Sequence, residues 1–315
     1  MTSEHFLSVT AIVFPVFSII FLGYGLKRFR FIDDTFIQQA NRLVFTTCLP
    51  LLLFYKIGSS DFSAQFNIAL LAGCMLSILL IFAASYGLAS LRNYPPSQRG
   101  VFCQGAFRGN LAIVGLAVVL NAYGDEGLTR ASVLMGFIVP LLNGLAVVAL
   151  SLPHHEGKTP GYSFWLSQVV LNPLIVSSLA GLAWSSAGIS FPLVLENGLR
   201  IVTGMTLPLA LIAIGAGFTM ERLHGDLRRA GLAAAIKIVA MPILTGAILW
   251  LLHVHGMELA IGVLMIGSPS ATVSYIMASQ MKGDSELAGS IIILSTLFSI
   301  LTYSLILIVF AMGIL

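Results

Sequence analysis

Two short stretches hold most of the residues able to bind a ligand. The first, "RGNLAIVGLAVV" (108–119), carries Arg108, Asn110 and Gly115. The second, "MIGSPSATVSYIMAS" (265–279), sets Pro269 among the hydroxyls of Ser268, Ser270, Thr272, Ser274 and Tyr275. Both lie in runs apolar enough to cross a bilayer. A guanidinium cannot be neutralised in practice, and at the bilayer centre it costs about 2.5–3.5 kcal/mol or more. Its planar fork would grip a carboxylate through two hydrogen bonds. A second reading stays open: Arg108 lies near the inner interface and snorkels to water. Asn110, Ser270, Thr272, Ser274 and Tyr275 would supply neutral donors and acceptors. Serines and threonines also join ordinary membrane helices, so each counts only as part of the cluster.

Lys237 falls near mid-depth of its own run. It would neutralise substrate charge or serve a proton-linked switch, because burial disfavours an ammonium. The alternative is a pairing with backbone carbonyls freed near Pro242. Asn41, Thr47, Asn143, Asn172 and Thr206 are polar residues within or beside apolar runs, suited either to helix packing or to lining a path. No carboxylate lies deep in any run. Cys48, Cys74 and Cys103 have no metal or disulfide spacing and read as core filling, and His154, His155 and Glu156 read as a solvated turn. Neither a metal nor a cofactor is expected.

Enzyme chemistry finds little support. "AYGDEG" approaches the Gly-x-Gly-Asp of intramembrane aspartyl proteases, but Ala122 stands at the first glycine and Asp125 lies at a run's end. There is no His-Glu-x-x-His, and Asp33-Asp34 alone is too little for a Mg²⁺-diphosphate site. No catalytic residue is expected.

The elements that must position these residues follow from composition. The 315 residues are 57% hydrophobic and 9% charged, against about 25% charged in an ordinary soluble domain. A helix needs roughly 20 apolar residues to span the hydrocarbon core, and long continuous runs exclude an alternating barrel pattern. The fold class is therefore an all-α membrane protein. Ten transmembrane helices are expected at 6–26, 37–57, 66–91, 97–121, 128–150, 164–187, 198–219, 227–252, 257–281 and 287–314. The first run follows Glu4 and His5 and precedes Lys27, Arg28 and Arg30, which suits a retained span rather than a signal peptide. Odd-numbered loops hold Lys27, Arg28, Arg30, Arg92, Arg99, Lys158, Arg222, Arg228, Arg229 and Lys282; even-numbered loops hold Lys56 and Arg130, with Arg200 at an edge. That bias places both termini outside the cytoplasm. The net charge of +3 gives no reason to expect a nucleic-acid partner.

The halves also repeat. Pro15 and Gly23 recur as Pro173 and Gly181, "LPLLL" (49–53) as "LPLAL" (207–211), and Gly124-Asp125 as Gly283-Asp284. Five spans per half make the second copy enter from the opposite side, an inverted repeat of the kind common in secondary transporters. The expected organisation is a first repeat at 1–152, a cytoplasmic linker at 153–163 and a second repeat at 164–315. The fourth and ninth spans correspond and share polar, flexible centres, the best sequence pointer to a binding site in such folds. Broken helices there would aim partly positive N-termini at one point, which suits an anion.

"ANRLVFTTCLPLLLFYKI" (40–57), "RGNLAIVGLAVVLNAYGD" (108–125), "NPLIVSSLAGLAW" (172–184) and "KIVAMPIL" (237–244) carry a wider likeness. Over essentially its whole length the chain resembles the auxin efflux carrier family, including plant PIN-type carriers and bacterial permeases for malate- or malonate-like acids. The resemblance implies a scaffold of spans 1, 2, 6 and 7, and a mobile unit of spans 3–5 and 8–10. Broken spans 4 and 9 would cross at the substrate site and move by a lift-like slide. The family's span-4 asparagine matches Asn110, but its two crossover prolines fall on Ala117 and Ser274.

The combined expectation is a secondary transporter for a small organic anion in the bacterial inner membrane, with lipid around it. A homodimer through the scaffold spans is the expected assembly. The alternative is a sodium-coupled carrier of the bile-acid symporter type.

Overall fold

The computed structural model describes residues 3–60, 66–154, 172–218 and 226–312. The linker expected at 153–163 falls almost entirely outside them, as do residues 164–171 of the sixth expected span and the C-terminal residues 313–315. Every described element is helical apart from one isolated two-residue bridge.

Helix α1 (Ser3–Arg28) ends on Lys27 and Arg28, cations that suit the negative end of a helix dipole. α2 (Asp34–Leu43) starts at Asp33, whose carboxylate accepts from the Phe36 N–H at 2.7 Å. A π turn at Val44–Cys48 carries it into α3 (Leu49–Gly58). α4 (Ile68–Leu91) is capped by Asn67. α5 (Pro96–Phe107) stops at Arg108, and the chain resumes as a π turn at Leu111–Gly115 and α6 (Leu116–Ser151). α7 (Pro173–Ser186) is capped by Asn172. α8 (Leu193–Gly204) and α9 (Thr206–Ala216) meet at Met205. α10 (Leu227–Ala235) passes through a π turn at Ile236–Ala240 into α11 (Met241–Leu251). α12 (Gly256–Ile266), α13 (Val273–Gln280) and α14 (Ser285–Ala311) complete the described chain.

Six helical stretches are long and apolar enough to cross a membrane: 9–28, 68–91, 111–151, 193–216, 227–251 and 285–311. The departures from ten separate runs have physical causes. No loop separates the fourth run from the fifth; helical dihedrals break at Gly124 alone (φ 60°, ψ −154°), a conformation open to a residue without Cβ. The fourth and ninth runs are each cut in mid-course. The seventh starts at Leu193 rather than 198.

Close packing follows the sequence repeat. Gly23 of α1 lies against the backbone of Ile212 in α9, and Gly181 of α7 against the backbone of Phe54 in α3. A shift of 158 residues interchanges these two pairs. Left-handed backbone recurs likewise: Arg30 and Gly188 lie 158 apart, Asn93 and His253 160 apart, Gly124 and Lys282 158 apart. Small residues at such contacts let helix backbones approach where lipid supplies no hydrophobic drive.

Polar ties hold the far ends of both cut helices. At the start of α12, Glu258 accepts from Arg130 of α6 at 2.9 Å and from Asn67 at the head of α4. At the start of α5, Gln98 donates to Asp284 at 2.8 Å and accepts from Arg229 of α10.

Candidate functional site

The two cut helices meet. Asn110 donates its backbone N–H to the Pro269 carbonyl at 2.7 Å, and Ala271 donates to the Arg108 carbonyl at 3.0 Å. Gly109 and Ser270 thus face each other in a minimal antiparallel bridge. These bonds satisfy backbone groups that the breaks would otherwise strand in an apolar interior. Proline at 269 costs nothing here, since only its carbonyl is needed. Gly109 is closely flanked: a Cβ there would strike the Ser268 hydroxyl and lie 2.8 Å from Leu111 Cδ1 and 3.1 Å from Lys237 Nζ, so these side chains would have to shift.

A cavity of about 290 Å³ opens beside this bridge. Arg108, Gly109, Asn110, Leu111 and Ala112 line one wall, and Ala271, Thr272 and Val273 another. Phe45 and Thr46 of the first π turn, Val139, Leu142 and Asn143 of α6, and Asn172, Pro173 and Leu174 at the head of α7 complete the lining. No carboxylate among the described residues lines it. Arg108 is 7% exposed; its Nη2 donates to Asn143 Oδ1 at 2.6 Å and its Nη1 approaches the Met277 sulfur. No described acidic residue pairs with it. The first turns of the helical segments beginning at Leu111 and Val273 both reach the cavity, adding the partial positive charge of helix starts. The arrangement can hold a small anion: one fixed cation, two helix starts and neutral amides and hydroxyls.

Of the residues singled out from sequence, Arg108, Asn110, Thr272, Asn143 and Asn172 come together on this cavity. The others do not line it. Ser270 is turned inward: its hydroxyl donates to the Gly105 carbonyl at 2.7 Å and its N–H donates to Ser295 Oγ at 3.0 Å. Ser274 is buried with a hydroxyl that has no partner among the described residues, and Tyr275 stands half-buried on α13. Gly115 backs onto Met265 of α12. Asn41 sits on α2 outside the lining, and Thr206 donates to the Cys48 carbonyl at 3.3 Å, tying α9 to the first π turn. Lys237 is fully buried, with Nζ donating to the Ile266 carbonyl and 3.4 Å from the Met241 sulfur. Ala117 and Ser274, where the resembled family places prolines, lie past the breaks inside helices; the chain departs from helix at Arg108–Asn110 and Gly267–Thr272. Phe45 and Thr46 were not singled out from sequence.

A second cavity, of about 550 Å³, is lined by Tyr55 and Lys56 of α3, Asn121 and Asp125 of α6, Arg200 of α8, and Pro15, Val16, Thr203 and Gly204. The last four are the 158-residue counterparts of Pro173, Leu174, Phe45 and Thr46 on the first cavity. The two cavities therefore share equivalent walls on one side. On the other side one faces the helix crossing and the second faces 117–128 of α6. Lys56 and Asp125 form an ion pair across the second cavity.

The family model described as "Membrane transport protein" matches residues 8–154 and 161–307. An "Uncharacterized transporter" of Methanothermobacter thermautotrophicus is 23% identical over 301 residues, covering 95% of this chain and 98% of the relative. A Rhizobium meliloti protein named "Putative malonate transporter" is 24% identical over 314 residues, covering 93% of each.

Proposed function

The chain belongs to the membrane transport protein family, the auxin efflux carrier-like group that its sequence resembles, and from that premise we propose that it carries a small organic anion by secondary active transport. It is a multi-pass membrane protein. The observation that carries the anion reading is Arg108: a cationic residue, its guanidinium held by Asn143 and unpaired with any described carboxylate, on a cavity with two helix starts. An anion entering there supplies the missing charge. The volume, about 290 Å³, is at the small end of ligand pockets and suits a mono- or dicarboxylate. The name of the Rhizobium relative refers to such an acid.

In this reading the architecture is ten spans in two inverted five-helix repeats, 1–152 and 164–315. The interchangeable pairs Gly23–Ile212 and Gly181–Phe54 favour a two-fold arrangement of the halves. Spans 1, 2, 6 and 7 form the scaffold and would meet a second copy in a homodimer. Spans 3–5 and 8–10 travel as a unit. The equivalent walls of the two cavities favour a sliding step: displacement of the moving unit would set the crossing opposite Pro15, Val16, Thr203 and Gly204 instead of their counterparts. Both termini would lie outside the cytoplasm of a bacterial inner membrane.

The test is an uptake screen in proteoliposomes over small mono- and dicarboxylates, run under imposed pH, sodium and voltage gradients. Saturable uptake of at least one acid is expected. Uptake that appears only with a sodium gradient would favour the bile-acid symporter type instead. No uptake of any acid would contradict the reading.

A further inference from the structure

Lys237 is a buried ammonium that the anion site does not use, and its surroundings explain what it does. A helix ends with carbonyls that lack intrahelical partners and carry a partial negative charge. At the cut end of α12 each of the last four finds a donor. Val263 accepts from the Gly267 N–H at 2.8 Å, Leu264 from the Tyr303 hydroxyl at 3.2 Å and Met265 from the Ser268 N–H at 3.2 Å. The fourth, Ile266, accepts from Lys237 Nζ. The ammonium is fully buried on the π turn of the eighth span, and no described carboxylate pairs with it. Close by, the buried Ser268 hydroxyl has no partner among the described residues and crowds the same face of Gly109 as Lys237 Nζ does. The other cut helix, α5, is closed differently, by the neutral Ser270 hydroxyl on the Gly105 carbonyl.

Carbonyls at a cut helix end, with a hydroxyl beside them, are the ligand set that binds a coupling cation in secondary transporters built on broken helices. Here that place is taken. We propose that the Lys237 ammonium is a cation built into the chain, filling the position at the end of α12 that a diffusible cation would otherwise occupy. The inference rests on the transporter reading. It deepens it by making the carrier independent of sodium: the charge that organises the crossing travels with the protein. Lys237 is accordingly a positioning residue. It holds the α12 end, and through Gly109 and Ser268 the bridge, without touching the carried anion.

The experiment needs no substrate, so its result is separate from that of the uptake screen. Purified wild type, Lys237→Ala and Lys237→Gln are melted in detergent in matched chlorides of sodium, methylammonium and choline. Wild type is expected to melt at one temperature in all three. Lys237→Ala, with the space vacated, is expected to melt lower in choline and to recover in methylammonium or sodium, which fit where choline does not. Lys237→Gln keeps a donor for the Ile266 carbonyl but no charge, and is expected to melt below wild type in every salt. Three results would overturn the proposal: wild type stabilised by sodium over choline, a folded Lys237→Ala that neither small cation rescues, or Lys237→Gln as stable as wild type. The wild-type and glutamine arms decide the matter should the alanine variant not fold.

Discussion

Arg108 and Asn143 are joined by a 2.6 Å hydrogen bond from Nη2 to Oδ1, so the guanidinium on the cavity is aimed by a neutral amide on α6. Neutrality matters. An amide orients the charge without spending it, and the attraction for an incoming anion is preserved.

Asn143→Asp would therefore trade function for stability. The new carboxylate would pair with Arg108 in a poorly hydrated site, and a carried anion would meet a cation already neutralised. Thermal melting should rise or hold, while uptake should fall at least about tenfold, the loss of about 1.4 kcal/mol of anion binding. Asn143→Ala should lower uptake less, since the charge remains but is no longer oriented.

Arg108→Lys separates charge from shape. The ammonium keeps the positive charge but cannot present two parallel donors to one carboxylate. Half-saturation is expected to rise roughly tenfold, with turnover at saturation changed little.

Glycine substitutions test the helix contacts that the repeat interchanges. At Gly23 a Cβ would collide with the backbone of Ile212, whereas at Gly25, on the same helix, nothing lies within 4 Å. Gly23→Ala should lower stability by about 1–3 kcal/mol through overpacking. Gly25→Ala should be neutral or gain up to about 1 kcal/mol from helix propensity. Melting in detergent reads both, and equal effects would contradict the contact.

The Lys56–Asp125 pair links α3 to α6 across the second cavity, with Asp125 largely exposed. Pairs that open to solvent are worth about 0–1 kcal/mol, so breaking this one should shift a two-state equilibrium by no more than about fivefold. The readout is labelling of Thr272→Cys by an impermeant thiol reagent from the side of the first cavity; Cys48, Cys74 and Cys103 are buried and give little background. Asp125→Asn should reduce labelling, and the Lys56→Asp, Asp125→Lys exchange should bring it back.

Composition and pattern made the helical class and the interrupted centres legible. A proline among hydroxyls at 269 has few uses in an apolar run other than a break, and a guanidinium at 108 is costly enough there to mark a site. The direction of each hydroxyl was not legible, because a one-residue rotation decides whether Ser270 faces a cavity or caps Gly105. The π turns at 44–48 and 236–240 were hidden too, since an i→i+5 bond leaves no compositional mark. That is why Phe45 and Thr46 went unnoticed.

The central claim is that the unpaired charge at the helix crossing is what holds the carried anion. It is tested most directly by measuring uptake of small carboxylates side by side in wild type and Arg108→Ala reconstituted at equal density. The account predicts an acid that wild type accumulates saturably and for which the variant needs about 10–100-fold more to half-saturate, the worth of one or two charge-assisted hydrogen bonds. An acid carried equally well by both proteins would contradict it.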